Sequence, residues 1–342
     1  MRLTGVTRAF ALLAIAPALA AQVPRIGDID VYGLRKLTSS SILEAMRLES
    51  GDRLPASKGD LEDAISKVPG VVLARVEAVC CEGQTVTLFI GIEERGGPHF
   101  NVRMPPAGNA VLPASLVSSY HEFLRAVERA AAQGEVAEDL SAGQSMFADP
   151  QARSYQDSFA SFAAAHLAQL RDVLRNAPAA DDRAVAAAVI GYAPHKRDVI
   201  NDLQYAIQDP DEAVRANAMH ALAAIGVLGG KQPALGIRIS PTWFVEVLHS
   251  VVLSDRMEAI RALTILTDRD NPETLDLMRT RALPDLVEMA RWKTLRYALP
   301  PFVLVGRIAG LTDARIQELW SSGDRETAIR KALATVPSSG RR

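Results

Sequence analysis

The 342-residue sequence holds only two cysteines, Cys80 and Cys81, and they are neighbours. Adjacent Cα atoms lie about 3.8 Å apart, below the usual bridging range, and in an extended strand the two side chains point to opposite faces. One buried and one exposed thiol near a strand end is the expectation; a redox disulfide or an intermolecular bridge are the functional alternatives. Aromatic residues make up 5% of the chain while alanine is plentiful, which suits close helix–helix packing better than a β-sandwich. A formal net charge of −2 gives no global field to attract nucleic acid or an anionic membrane. No apolar run reaches the roughly 20 residues that cross a bilayer, so the mature chain is expected to have no membrane span.

Chemistry-bearing motifs are also missing. None of His99, His121, His166, His195, His220 and His249 has H-E-x-x-H spacing or sits beside a carboxylate cluster with metal-ligand spacing. There is no G-x-S-x-G elbow. The segment from Gly226 to Lys231 comes nearest to a phosphate loop, but Ile225 replaces the first required glycine and Gln232 the required Ser/Thr. No catalytic residue, metal or cofactor is therefore assigned.

What is present begins at the N-terminus. Arg2 and Arg8 supply a positive region, Phe10 to Leu19 an apolar stretch broken by Pro17, and Ala18-Leu19-Ala20 the small-x-small pattern of a cleavage site. Residues 1–20 read as a signal peptide cut before Ala21, with the mature protein periplasmic or secreted. No cysteine at the cleavage site calls for a lipid anchor.

Residues 26–94 alternate in apolar character in three places. Ile29 and Val31 read as a strand, Val72 to Ala78 as a second and Val86 to Ile92 as a third, the last two joined as a hairpin. Between the first two, Thr38 and Ser57 are placed to cap helices carrying Ile42, Leu43 and Met46, then Leu61, Ile65 and Val68. The order is β-α-α-β-β. With Gly33, Leu48, Gly51-Asp52, Gly70-Val71 and Leu88-Phe89-Ile90 as its punctuation, the segment resembles the polypeptide-transport-associated (POTRA) domain. Many members carry asparagine after the glycine where this chain has Leu34. The resemblance implies binding by contact, an open sheet edge accepting a partner's strand.

Residues 95–113, with Gly96-Gly97-Pro98 and Pro105-Pro106, read as a linker or a loop laid over the surface. From 114 to 336 the pattern is helical, followed by a polar tail at 337–342 expected to be disordered. Three segments repeat, headed by Arg183, Arg215 and Arg256, with small and apolar residues at matching positions and a looser fourth copy near Leu295-Arg296. The string from Leu203 through Asp209-Pro210-Asp211 and Arg215 to Ile225-Gly226 resembles a HEAT repeat. In that family a turn aspartate and an arginine of the next helix form a hydrogen-bond ladder along the stack. The resemblance implies that Asp209, Arg183, Arg215 and Arg256 are such structural residues, and that the stack offers a concave surface to long partners.

The fold expected is thus a small α+β N-terminal domain followed by an all-α HEAT-like solenoid. Two places break the repeat rhythm: a polar insertion at 139–150 and a loop from Gly229 to Thr242. Lys231, Arg238, Trp243 and Phe244, and separately Arg291 with Trp292, have the aromatic-plus-cation composition of interface anchors and are the candidate partner-binding residues. The expected function is a non-catalytic envelope scaffold binding protein partners. The rivals are an enzyme of HEAT-like lyase type, which needs convergent acid/base groups, and a glycan or peptidoglycan binder, which needs exposed tryptophans.

Overall fold

The computed structural model describes residues 23–82, 85–269 and 271–336. The expected signal peptide and C-terminal tail lie outside the described residues. The first unit runs β1 (Arg25–Tyr32), α1 (Ser39–Met46), α2 (Lys58–Ser66), β2 (Val71–Glu82) and β3 (Thr85–Glu94). Thr38 and Ser57 cap the helices, their side chains accepting from the amides of Ser41 and Asp60. The sheet order is β1-β3-β2, with β1 parallel and β2 antiparallel to the central β3. Ile42, Met46, Leu61 and Ile65 of the helices close over Ile26, Val76, Leu88 and Ile90 on one sheet face.

The opposite face is buried too, which single-faced alternation does not predict. Tyr32 and Phe89 are fully buried and join the core of the helical unit, and Asp30 and Thr87 are buried with them. Asp30 is tolerated there because its carboxylate accepts from the amides of Lys293, at 2.9 Å, and Thr294, at 3.3 Å. Burial still outweighs these bonds and raises its pKa.

The helical unit begins with α3 (Ala114–Ala132), a short hairpin of β4 (Glu138–Asp139) and β5 (Met146–Phe147), and α4 (Pro150–Ala165). Helix pairs follow: α5 (Leu167–Asn176) with α6 (Ala180–Ile190), α7 (Ile200–Ala206) with α8 (Glu212–Lys231), and α9 (Thr242–Val247) with α10 (Leu253–Leu266). After α11 (Pro272–Arg281) come α12 (Leu283–Ala290) with α13 (Leu295–Ile308), and α14 (Asp313–Ser321) with α15 (Arg325–Leu333). Helices α6, α8, α10, α13 and α15 stack in succession. The inner helices α6 and α8 are alanine-rich, and that small-residue surface lets their neighbours approach closely.

Several details depart from the sequence reading. The helical pattern from Phe159 to Leu174 is divided at His166 between α4 and α5, since the first packs on α3 and the second on α6 and α7. Helix α8 continues through Gly229-Gly230 to Lys231, so the loop begins at Gln232. A side chain at Gly229 would start 3.0 Å from Ile237, which folds back over the helix end. Residues 95–113 lie on the helical unit: Arg103 donates its amide to Gln208 O at 2.8 Å and stacks its guanidinium 3.3 Å from the Tyr205 ring centroid. Cys80 is exposed and disulfide-bonded, and there is no free cysteine among the described residues, which corrects the two-thiol expectation. The register of β2 against β3 shifts between Val79 and Glu82, and such a bulge removes the strict alternation on which that expectation rested.

Candidate functional site

The three repeat arginines sit at equivalent places on α6, α8 and α10, each buried, and each joins its own turn to the next repeat. Arg183 sends Nη1 to the carbonyls of Ala177 and Pro178, and Arg215 sends Nη1 to those of Asp209 and Pro210. The remaining fork is given to a carboxylate one repeat on. Arg183 Nε and Nη2 donate to Asp209 at 2.8 and 2.9 Å, and Arg215 Nε and Nη2 to Asp255 at 2.9 and 2.8 Å. Arg256 repeats the pattern more loosely, with Nε on Ser250 O at 2.6 Å and Nη1 on Asp285 Oδ1 at 3.4 Å. Arg35 of the N-terminal unit donates to the other oxygen of Asp285, at 2.5 Å, so the last rung ties the two units together.

A second polar cluster lies where the β4–β5 hairpin crosses α8 and α10. Glu138 accepts from His220 Nε2 at 2.6 Å, from Arg261 Nη2 at 2.6 Å and from Ser145 Oγ. At the other ring nitrogen of His220, Arg261 Nη1 lies 2.9 Å and Glu258 Oε2 3.6 Å away. A neutral ring accepts from Arg261; an imidazolium donates to Glu258, whose Oε2 is otherwise buried without a partner. Burial opposes charge on both groups, yet hydrogen bonds and charges of Glu138 and Glu258 raise His220 to about 9, and His220, Ser145 and Arg261 hold Glu138 at about 2. The hairpin is fixed at two more points. Lys196 donates to Gln144 Oε1 at 2.6 Å and to Gly191 O at 2.8 Å, and the buried Gln156 donates to Ser145 O and accepts from the amide of Phe147. Burial without a carboxylate partner lowers Lys196 to about 8.

Part of this helical stack has a match among known protein families. That family is HEAT repeats, over residues 167–236. The matched stretch runs from α5 past α8 and holds the Arg183–Asp209 rung. No curated protein matches the chain. Among solved structures, the Designed armadillo repeat protein YIII(Dq)4CqI is similar at 19% identity, covering 55% of this chain and 88% of that one, with a TM-score of 0.36.

In the helical stack the anchor candidates separate. Phe244 is fully buried under α10, and Trp292 is 3% exposed, its ring 5.5 Å from Tyr32 and 5.0 Å from Phe89. Neither is available to a partner: Phe244 fills the repeat core, and Trp292 is covered by the sheet that docks on it. Trp243 is half-buried against the same core. Lys231 and Arg238 are exposed, while the exposed Arg291 is paired with Glu326 through two bonds of 2.8 Å. Sequence reading missed the Glu138–His220–Arg261 cluster. Its available signal was one repeat position: His220 and Arg261 each stand five residues after their repeat arginine, where the first copy has Ala188.

The cluster gives a pH prediction. His220 has its folded pKa raised from 6.5 to about 9, so its contribution is complete below about 6.5 and is lost as pH rises through about 9. Glu138 is lowered from 4.5 to about 2, so its contribution is complete above about 4.5 and is lost as pH falls towards 2. The hairpin should therefore be held best between those limits. An NMR titration of the His220 ring should give a midpoint well above 6.5; a midpoint at or below 6.5 rejects the arrangement.

Proposed function

We propose that the chain is a non-catalytic scaffold of the cell envelope, exported by its N-terminal leader, that binds protein partners on the HEAT-repeat stack and on a sheet edge of a POTRA-like domain. The observation that carries this reading is the HEAT-repeat match at residues 167–236 within a longer continuous helical stack, an architecture that offers extended surface to partners. The sheet contributes an edge. Its faces are covered by α1 and α2 and by the helical unit, and the outer edge of β1 is bonded at its start to segment 51–54 (Ile26 N–H to Asp52 O and Gly51 N–H to Ile26 O, both 2.8 Å), which leaves β2 as the edge for strand addition. Val76 N–H points away from β3 to Glu62 Oε1, at 2.8 Å, and by alternation the backbone groups of Ala74 and Ala78 point outward as well. Buried Trp292 argues against the glycan-binding alternative.

The test is affinity capture from envelope extract with the mature protein and with an Ala78→Pro variant. Ala78 is exposed, and proline there removes an outward donor while leaving the β2–β3 ladder intact. A discrete protein partner retained by the parent and reduced at least about tenfold by Ala78→Pro supports edge binding (about 1.4 kcal/mol). A partner retained equally by both moves the contact to the helical stack. Recovery of none overturns the scaffold reading.

A further inference from the structure

The hairpin that Glu138 fastens also roofs a cavity. The space is about 180 Å³, open on one side and lying between α3, α4, α6, α8 and the hairpin. Its walls are rings: Tyr120, Phe123, Phe147, Phe159 and Tyr192, set edge-to-face or tilted with centroids about 5.6–6.0 Å apart. Leu124, which is 46% exposed, and Val127 stand where it meets the surface. We infer that this cavity is a binding site for a single uncharged aromatic ring, of benzene to indole size.

Size sets the upper limit. Sites for cofactors and drug-sized ligands run to about 300–1,000 Å³, whereas an apolar cavity of about 150 Å³ takes one benzene. A nucleotide does not fit in this space; one or two fused rings do. Polarity sets the chemistry. Tyr192 Oη donates to Ser145 O at 3.0 Å and accepts from Gln156 Nε2 at 2.9 Å, and Asn217 donates to Ala184 O at 2.9 Å. His220, on the same wall, has both ring nitrogens engaged by the hairpin cluster. These polar groups are thus already engaged by the protein. A charged or strongly hydrogen-bonding ligand would lose its hydration without replacement, while an apolar ring exchanges water contact for ring faces and edges.

The probes are indole, with benzoate and benzylamine as charged comparators and N-acetyltryptophanamide as a ring tethered to backbone, titrated calorimetrically into the mature full chain. Indole should bind saturably and raise the melting temperature, with both charged comparators at least about tenfold weaker. Ala188 lines the cavity from α6 and is only half-buried, so Ala188→Phe should fill the space and abolish indole binding with unchanged helical circular dichroism. Leu124→Trp, at the exposed mouth, is the second variant and should weaken binding at least about tenfold even if Ala188→Phe fails to fold. Binding of the tethered ring as well assigns the site to a partner's side chain; binding of indole without it assigns a free small molecule. No saturable indole binding overturns the inference, as does binding that survives both substitutions or charged rings that bind as well as indole.

Discussion

Asp285→Ala is expected to lower the unfolding free energy by about 3–5 kcal/mol, the cost of leaving buried charge without its partner. Asp285 is 1% exposed and receives Arg256 Nη1 on one oxygen and Arg35 Nη2 on the other. Arg256 is equally buried, its guanidinium 4.6 Å from the Tyr32 ring centroid, and among the described residues no other carboxylate is bonded to it. His249 Nδ1 lies 3.2 Å from Asp285 Oδ2 without the alignment of a good hydrogen bond. Removing the carboxylate therefore strands two guanidinium groups, one of them inaccessible to water. The pH dependence checks the cause. Burial resists ionisation of Asp285, but His249, Arg256 and Arg35 lower its pKa from 3.8 to about 2. Its stabilising contribution is complete above about 3.8 and is lost as pH falls through about 2, so the gap between wild type and variant in urea midpoints should narrow over that range. A gap that is small at pH 7, or one that stays constant on acidification, means that the rung is not a stabilising ion pair.

The rung also shows what the sequence makes legible. Spacing locates Arg183, Arg215 and Arg256, because a repeated helix repeats its pattern. It does not reveal which carboxylate each arginine meets. Asp209 and Arg215 stand six residues apart and read as members of one turn. Yet the Asp209 carboxylate goes back to Arg183, and the Arg215 fork goes forward to Asp255 across an intervening helix and loop. The offset of one repeat arises in stacking, which local pattern does not encode. The β-α-α-β-β order was legible from alternation and caps, but the second buried sheet face was not. Asp30, Thr87 and Glu77 have the composition of a solvated face, and only the docked helices make sense of them. The same docking hides Trp292, which in sequence has the profile of an exposed anchor. The Glu138 hairpin fails for another reason: strands of two residues have no alternation to read, and Glu138 meets Arg261 from 123 positions away.

Gly91→Ala is expected to separate the sheet from the helical unit while leaving each folded. Gly91 lies on central strand β3, paired with Tyr32 on one side and Arg75 on the other. A Cβ at this position would stand 2.1 Å from Val251 O and 2.9 Å from the Tyr32 ring. The first neighbour is backbone, in the turn before α10, and the contact is fixed from the other side by Tyr32 Oη donating to Val251 O at 2.7 Å. Neither partner can move without loosening the other, so the added methyl acts on the interface as a wedge. Overpacking of a close-fitted contact costs about 1–3 kcal/mol. Here it also endangers the bonds from the amides of Gly33 and Leu34 to Glu288 and from Lys293 to Asp30, all made only in the docked arrangement. Hydrogen exchange is the direct readout. The amides of Gly33, Leu34, Lys293 and Thr294 should exchange at least about tenfold faster, and segment 95–113 should become sensitive to limited proteolysis. The amides within α6 and α8 should keep their protection. Unchanged exchange at Gly33 and Lys293 would mean that the two surfaces can slide past the new methyl, and that the fit at Val251 does not define the docked arrangement.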